Sequence, residues 1–169
     1  MKIFEVIEDR SVDPVDLATR TGKRYGKEKD YGYSQSDTNP GEYIPLKNYN
    51  DDWVDAMEEV FNEIYKTLDF YNLSRDKQIQ IRQKLDNEAK SVKSVPINKL
   101  YATQPFVRIK DKETLKNKVA TTKQITVIDF ADRLFIRDGH HAVLAARLRG
   151  EKTIQAKVIN LDYLEEKYL

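Results

Sequence analysis

A strand, a glycine turn and a helix follow one another directly between residues 134 and 150, and this succession constrains the fold more than any other feature. The apolar run at 134–136 predicts a buried strand that ends at Asp138, because the glycine that follows lets the backbone turn tightly. The alanine-rich stretch His140–Leu148 predicts a helix, and Gly150 suits the position just beyond its end. A helix that follows a buried strand so closely predicts an α/β unit in which the helix covers a sheet.

Residues 138–141, with the sequence Asp-Gly-His-His, form what we call the glycine turn. The free N–H groups in the first turn of a helix, together with the helix dipole, favour an anion such as phosphate. His140 and His141 are the two histidines of the chain, and they would add hydrogen-bond donors or a proton-transfer group near neutral pH. Asp-Gly is also common in turns that bind nothing, so the sequence leaves a purely architectural role open.

The glycine turn also gives a weaker prediction of a metal site. Successive helical positions diverge by about 100°, so His140 and His141 do not face one ion together, and Asp138 is the companion of whichever one is a ligand. Magnesium prefers carboxylates and phosphate oxygens. Asp129 and Asp132 flank a predicted hairpin and could join Asp138 around such an ion.

Short strands surround this unit and predict an α+β fold with a small mixed sheet over residues 94–169. The predicted strands cover residues 95–100, 106–110, 125–130, 134–138 and 153–159. A hairpin through 131–133 joins two of them, and a short helix is expected at the end of the chain.

The preceding residues predict a helical segment at 51–93 and an irregular arm at 1–50. Apolar residues recur with helical spacing from Trp53 to Leu68 after an Asn50 or Asp51 cap, and a second helix runs from a Ser74 cap to about Ala89. The arm has too few apolar residues to form a core. Its tyrosines suit a segment that is ordered on its own fold or on a protein partner. They are Tyr25, Tyr31, Tyr33, Tyr43 and Tyr49.

Composition excludes several classes of protein. The chain has no cysteine, which excludes disulfides, thiolate catalysis and cysteine-bound zinc. It has neither the apolar run of about 18–20 residues that spans a bilayer nor the apolar core of a signal peptide, so we expect a cytoplasmic, or at least non-secreted, protein. Residues 94–169 hold 14 Lys and Arg against 9 Asp and Glu, whereas the first 93 hold 15 against 19. The C-terminal part is therefore the natural partner of an anion.

The run from Leu134 to Gly150, followed by an isolated strand, is similar to the hallmark of ParB/sulfiredoxin-like domains: an apolar strand, Asp-Gly-His-His-Arg or a relative of it, an alanine-rich helix and a glycine. Upstream, residues 95–100 and the Gln104-Pro105 pair resemble the opening strand and the Gln-Pro turn of that family. Relatives include DNA-partitioning proteins that bind CTP, ParB-like nucleases, sulfiredoxins that use ATP and free-serine kinases. Sulfiredoxin chemistry is excluded, because its reactive cysteine falls within the matching turn and this chain has none.

The resemblance implies that a nucleotide or DNA phosphate sits against the glycine turn, with a nucleoside triphosphate and Mg²⁺ as candidate cofactors. His140 or His141 would act as general acid or base in a nuclease or a phosphoryl-transfer enzyme. Ala142 stands where the family has an arginine that clamps phosphate, and this departure argues against catalysis. Arg108 and Arg137 are the residues that could replace it. The predicted phosphate or nucleotide contacts are Asp138, Gly139, His140, Gln104, Pro105, Arg108 and Arg137.

Two alternatives to a phosphate-binding ParB-like protein remain. The first is a non-catalytic assembly protein, for example of a bacteriophage particle, that keeps the fold without the chemistry; Ala142 and the tyrosine-containing arm favour it. The second is a small-molecule kinase of the free-serine-kinase type, which would need a further carboxylate base. The sequence places no such base.

Overall fold

The computed structural model describes residues 42–117 and 124–169, so the predicted arm lies outside the described residues except for its last nine. The helices are α1 (Asp51–Thr67), α2 (Arg75–Ala89), α3 (Lys112–Asn117), α4 (His140–Leu148) and α5 (Leu161–Tyr168). The strands are β1 (Glu42–Pro45), β2 (Lys90–Pro96), β3 (Leu100–Tyr101), β4 (Phe106–Ile109), β5 (Ile125–Phe130), β6 (Arg133–Asp138) and β7 (Thr153–Asn160). The predicted α+β fold is confirmed.

Five strands form a mixed sheet in the order β2-β7-β5-β6-β3. β2 pairs with β7 and β5 with β6 in antiparallel fashion, whereas β5 is parallel to β7 and β3 is parallel to β6. β1 and β4 form a separate antiparallel pair. Because β3 and β6 run in the same direction, the turns that follow them meet at one edge of the sheet.

Helices cover both faces of the sheet. Ile128 and Phe135 share a buried cluster with Trp53 of α1 and with residues of α2 and α5. On the other face, Val143 of α4 packs with Ile136 and other strand residues. The β1–β4 pair lies on the far side of α4 through a third buried cluster. The layers therefore follow in this order: the helices α1, α2 and α5, the five-stranded sheet, the helix α4 and the β1–β4 pair.

The residues before α1 and α2 correctly predict where these two helices begin. The Asn50 side chain accepts hydrogen bonds from the N–H groups of Asp52 and Trp53, and the Ser74 side chain accepts one from Lys77. Both predicted caps are confirmed. None of the helices in the described ranges combines the length and the apolar character that crossing a membrane requires.

The single strand predicted over residues 95–100 is wrong. β2 begins earlier, at Lys90, and ends at Pro96, after which Ile97–Lys99 form a short 3₁₀ turn. Interactions distant in sequence hold this turn: the Ile97 N–H donates to the Lys152 carbonyl, and the Arg147 guanidinium donates to the Ile97 carbonyl. A strand ladder cannot continue through backbone groups that are already bonded elsewhere.

Candidate functional site

The two sequence motifs meet in space. Leu100 and Tyr101 of β3 pair with Leu134 and Phe135 of β6, so residues 102–105, which we call the Gln-Pro turn, lie beside the glycine turn. Thr103 joins them. Its hydroxyl donates a hydrogen bond of 2.5 Å to the Ile136 carbonyl, and its N–H donates one of 3.1 Å to Nε2 of His140.

Gly139 is required at its position for two reasons. Its φ of 113° lies in the region that favours glycine, and a Cβ there would lie 2.5 Å from Cγ2 of Ile125 and 2.9 Å from its Cβ. Real side chains do not approach so closely, so the backbone turns directly against β5 only because residue 139 has no side chain. The start of α4 is thereby held against the sheet.

The first turn of α4 presents backbone donors. The Val143 N–H donates to the Gly139 carbonyl at 3.0 Å, which begins the helical ladder, so the N–H groups of His140, His141 and Ala142 precede it. Gly139 is the N-cap and supplies no side-chain cap. These three N–H groups and the positive end of the helix dipole favour an anion.

His140 is buried and neutral at physiological pH. Burial, and to a smaller extent the neighbouring His141, lower its pKa from 6.5 to about 4, and Asp138 opposes both effects. At pH 7 the ring is therefore almost entirely neutral. Because Nε2 already accepts the Thr103 N–H, this nitrogen is not free to take a proton from a substrate. The ring acts first as a link between the two turns.

His141 occupies a different environment from its neighbour. Its ring is exposed, and its Nε2 lies 3.1 Å from the Arg108 carbonyl, which can only accept a hydrogen bond. The bond therefore requires a proton on Nε2 and ties α4 to β4. Val107 and Ile109 face α4, so the alternation of the strand places the half-buried Arg108 side chain on the other face of β4.

The side chain of Arg137 lies away from the glycine turn, although Arg137 directly precedes Asp138 in the chain. Its guanidinium forms an ion pair of 2.8 Å with Asp86 of α2 and lies 5.5 Å from the centre of the Phe61 ring. These partners lie on the sheet face opposite α4. The side chain therefore links β6 to the helical segment.

The Gln-Pro turn is closed by its own contacts. The side-chain nitrogen of Gln104 donates a hydrogen bond of 2.9 Å to the Phe106 carbonyl, and Pro105 is buried. The Gln104 side-chain oxygen is not used in this bond and can accept from a ligand. Gln104 directly follows Thr103, which contacts His140, and its contact with a ligand stays a prediction.

The prediction that Asp129 and Asp132 share a magnesium ion with Asp138 is wrong. Asp129 pairs with Leu134, whereas Asp138 pairs with Thr126, which separates the two carboxylates by the length of the hairpin. Four residues of strand span about 13 Å. Burial raises the pKa of Asp129, and the nearby carboxylates of Asp162 and Asp132 add to this effect. Across residues 42–117 and 124–169, no group of three or more His, Asp or Glu side chains is arranged to hold a metal.

Thr103 is the site residue that the sequence did not reveal. Its contacts reach a carbonyl and a ring more than thirty positions further along the chain. A threonine at this position gives no indication in the local sequence that it makes such hydrogen bonds. The parallel pairing of β3 with β6 is what creates it.

Comparison with known proteins finds partial similarity to solved structures. No family model and no curated protein matches the sequence. Sulfiredoxin from Arabidopsis thaliana matches 45% of this chain and 94% of its own, with 19% identity and a TM-score of 0.35. The C-terminally truncated chromosome-partitioning protein ParB from Caulobacter crescentus, complexed with CTP-gamma-S, matches 44% of this chain with 27% identity and a TM-score of 0.36. This chain spans about half (47%) of that ParB chain. Each similarity covers less than half of this chain, and the two proteins are of the kinds that its sequence resembles.

Proposed function

We propose that this protein binds the phosphate of a nucleotide or of DNA at the glycine turn. The proposal rests on the start of α4, whose first N–H groups have no side-chain cap. Gly139 lets this start pack against β5, beside the Gln-Pro turn. The N–H groups of His140, His141 and Ala142 would bind the phosphate oxygens, and the excess of Lys and Arg in residues 94–169 would favour an anion.

The Gln-Pro turn gives the proposed site a second contact. Gln104 keeps its side-chain oxygen available to accept a hydrogen bond from a base or a ribose. A nucleotide would thus contact the glycine turn through its phosphate and Gln104 through its sugar or base. A magnesium ion at this site would be bound by the carboxylate of Asp138 and by oxygens of the phosphate.

Catalysis needs a group that can transfer a proton. His141 suits this role better than His140 because its ring is exposed, whereas His140 is buried and its Nε2 accepts the Thr103 N–H. Hydrolysis of DNA or of a nucleotide is therefore proposed only with His141 as the acid or base. Assays for cleavage would follow once binding is measured.

Ala142 offers the sharpest test of binding. We would measure melting temperature and affinity with CTP, ATP, GTP, pyrophosphate and a short DNA, with and without Mg²⁺, for the wild type and three variants. Ala142→Asp places a negative charge in the first turn of α4, which suits the helix dipole but repels phosphate. Ala142→Asn is the neutral control of the same shape, and Ala142→Arg restores a clamp.

We expect the wild type to be stabilised by at least one of these ligands, because a ligand that binds only the folded state raises the melting temperature. Ala142→Asp should bind at least about ten-fold more weakly than Ala142→Asn, and Ala142→Arg at least about ten-fold more tightly than wild type. Equal affinities for the Asp and Asn variants would contradict the proposal, as would the absence of any ligand effect.

The assembly role is the second candidate, and one observation favours it: Ala142 stands where the resembled family has a clamping arginine. The last part of the arm is ordered on its own fold, since β1 joins β4 and the Tyr43 ring meets the Phe106 ring edge-on at 5.4 Å. If no ligand affects any Ala142 variant, this role becomes the better proposal, and a protein partner of the arm should be sought.

A further inference from the structure

The hydrogen bond from Thr103 determines which nitrogen of His140 carries the proton. Nε2 accepts the Thr103 N–H at 3.1 Å, so it must be unprotonated. A neutral imidazole has one N–H, which is then on Nδ1. The Thr103 hydroxyl donates to the Ile136 carbonyl and so makes only a loose 3.3 Å contact with the ring.

The Nδ1–H donor has no hydrogen-bond acceptor among residues 42–117 and 124–169. His140 keeps only 8% of its surface exposed. Nδ1 itself is not among the buried side-chain atoms that lack a hydrogen-bond partner in the described ranges, so it is accessible to solvent and to a ligand. Nδ1 is bonded to the ring carbon nearest the backbone, so it stays close to the first turn of α4, where the free N–H groups lie.

We propose that Thr103 is a positioning residue of the phosphate site, which fixes His140 as the Nδ1–H tautomer and so makes this neutral N–H a fourth donor to the bound anion. The inference rests on the proposed function. The Thr103 hydroxyl is hydrogen-bonded to β6, the strand that leads into the glycine turn. This bond holds the Thr103 N–H opposite Nε2 of His140.

The test uses pyrophosphate as the probe on the full chain. Nitrogen-15 NMR of the histidine rings reports the tautomer, and affinity is measured for the wild type, Thr103→Val, Thr103→Ser and His140→Gln. Valine keeps the backbone N–H but loses the anchoring hydroxyl, and serine restores it. Glutamine keeps an acceptor near the Nε2 position and lacks the Nδ1–H.

We expect an unprotonated Nε2 and a protonated Nδ1 in the wild type, with the Nδ1 signal shifting when pyrophosphate binds. Thr103→Val and His140→Gln should each weaken pyrophosphate binding at least three-fold, and Thr103→Ser should restore it. The opposite tautomer, or wild-type affinity in Thr103→Val, would overturn the inference while leaving the proposed function intact. Failure of the wild type to bind pyrophosphate or any nucleotide would overturn both.

Discussion

Lowering the pH from 7 to 4 should destabilise the protein through His140, and the size of the effect follows from its burial. The pKa of His140 falls from 6.5 in the unfolded chain to about 4 in the fold, because burial disfavours the charged ring. Between these values the unfolded chain binds more protons, so stability is complete above about pH 6.5 and is lost as the pH falls towards 4. A difference of this size corresponds to about 3 kcal/mol in the free energy of unfolding.

The assay compares the wild type with His140→Gln, which does not titrate. Urea unfolding at half-unit pH steps can be followed by the fluorescence of Trp53, the single tryptophan of the chain, which is 7% exposed. The carboxyl groups of Glu88 and Asp111, whose pKa values are lowered in the fold, titrate in both proteins and cancel in the difference. The stability difference should change by about 3 kcal/mol between pH 7 and 4. Parallel curves for the two proteins would refute the burial argument for His140.

Three further substitutions test the geometry around the site, each measured by urea unfolding. Gly139→Ala should lower the free energy of unfolding by more than about 2 kcal/mol, because alanine is strained at this φ and its Cβ overlaps Ile125; a loss below about 0.5 kcal/mol would contradict this. Arg137→Gln should cost about 1 kcal/mol through the lost Asp86 pair, with pyrophosphate affinity within two-fold of wild type, and a large loss of affinity would instead place Arg137 in the site. Asn50→Ala should cost about 1 kcal/mol, and Asn50→Asp should retain the cap.

Features that depend on neighbouring residues could be predicted from the sequence. The start of α1 at Asn50, the start of α2 at Ser74 and the turn at Gly139 each follow from a side chain, or its absence, next to the backbone that it serves. The β5–β6 hairpin was predicted for the same reason, although its two turn residues, Ala131 and Asp132, both have positive φ. Aspartate tolerates this left-handed conformation, whereas alanine rarely adopts it.

Features that depend on distant pairing could not be predicted. The side of the sheet on which Arg137 lies is set by the alternation of β6, and its pairing with Asp86 needs α2 to pack on that face. The bond between Thr103 and His140 exists because β3 runs parallel to β6. The separation of Asp129 from Asp138 follows from the register of the hairpin. In each case the residue types were visible in the sequence, whereas the register that joins or separates them was not.

The most direct test of phosphate binding at the glycine turn is a titration of the nitrogen-15-labelled chain with pyrophosphate and with CTP, observed by backbone amide NMR at constant ionic strength. We predict saturable shifts that are largest for the amides of His140, His141 and Ala142. The start of α5, where the Asn160 side chain already accepts the Tyr163 N–H, provides an internal control that should shift little. Shifts that are absent at millimolar ligand, or that are no larger at the glycine turn than at α5, would contradict the account.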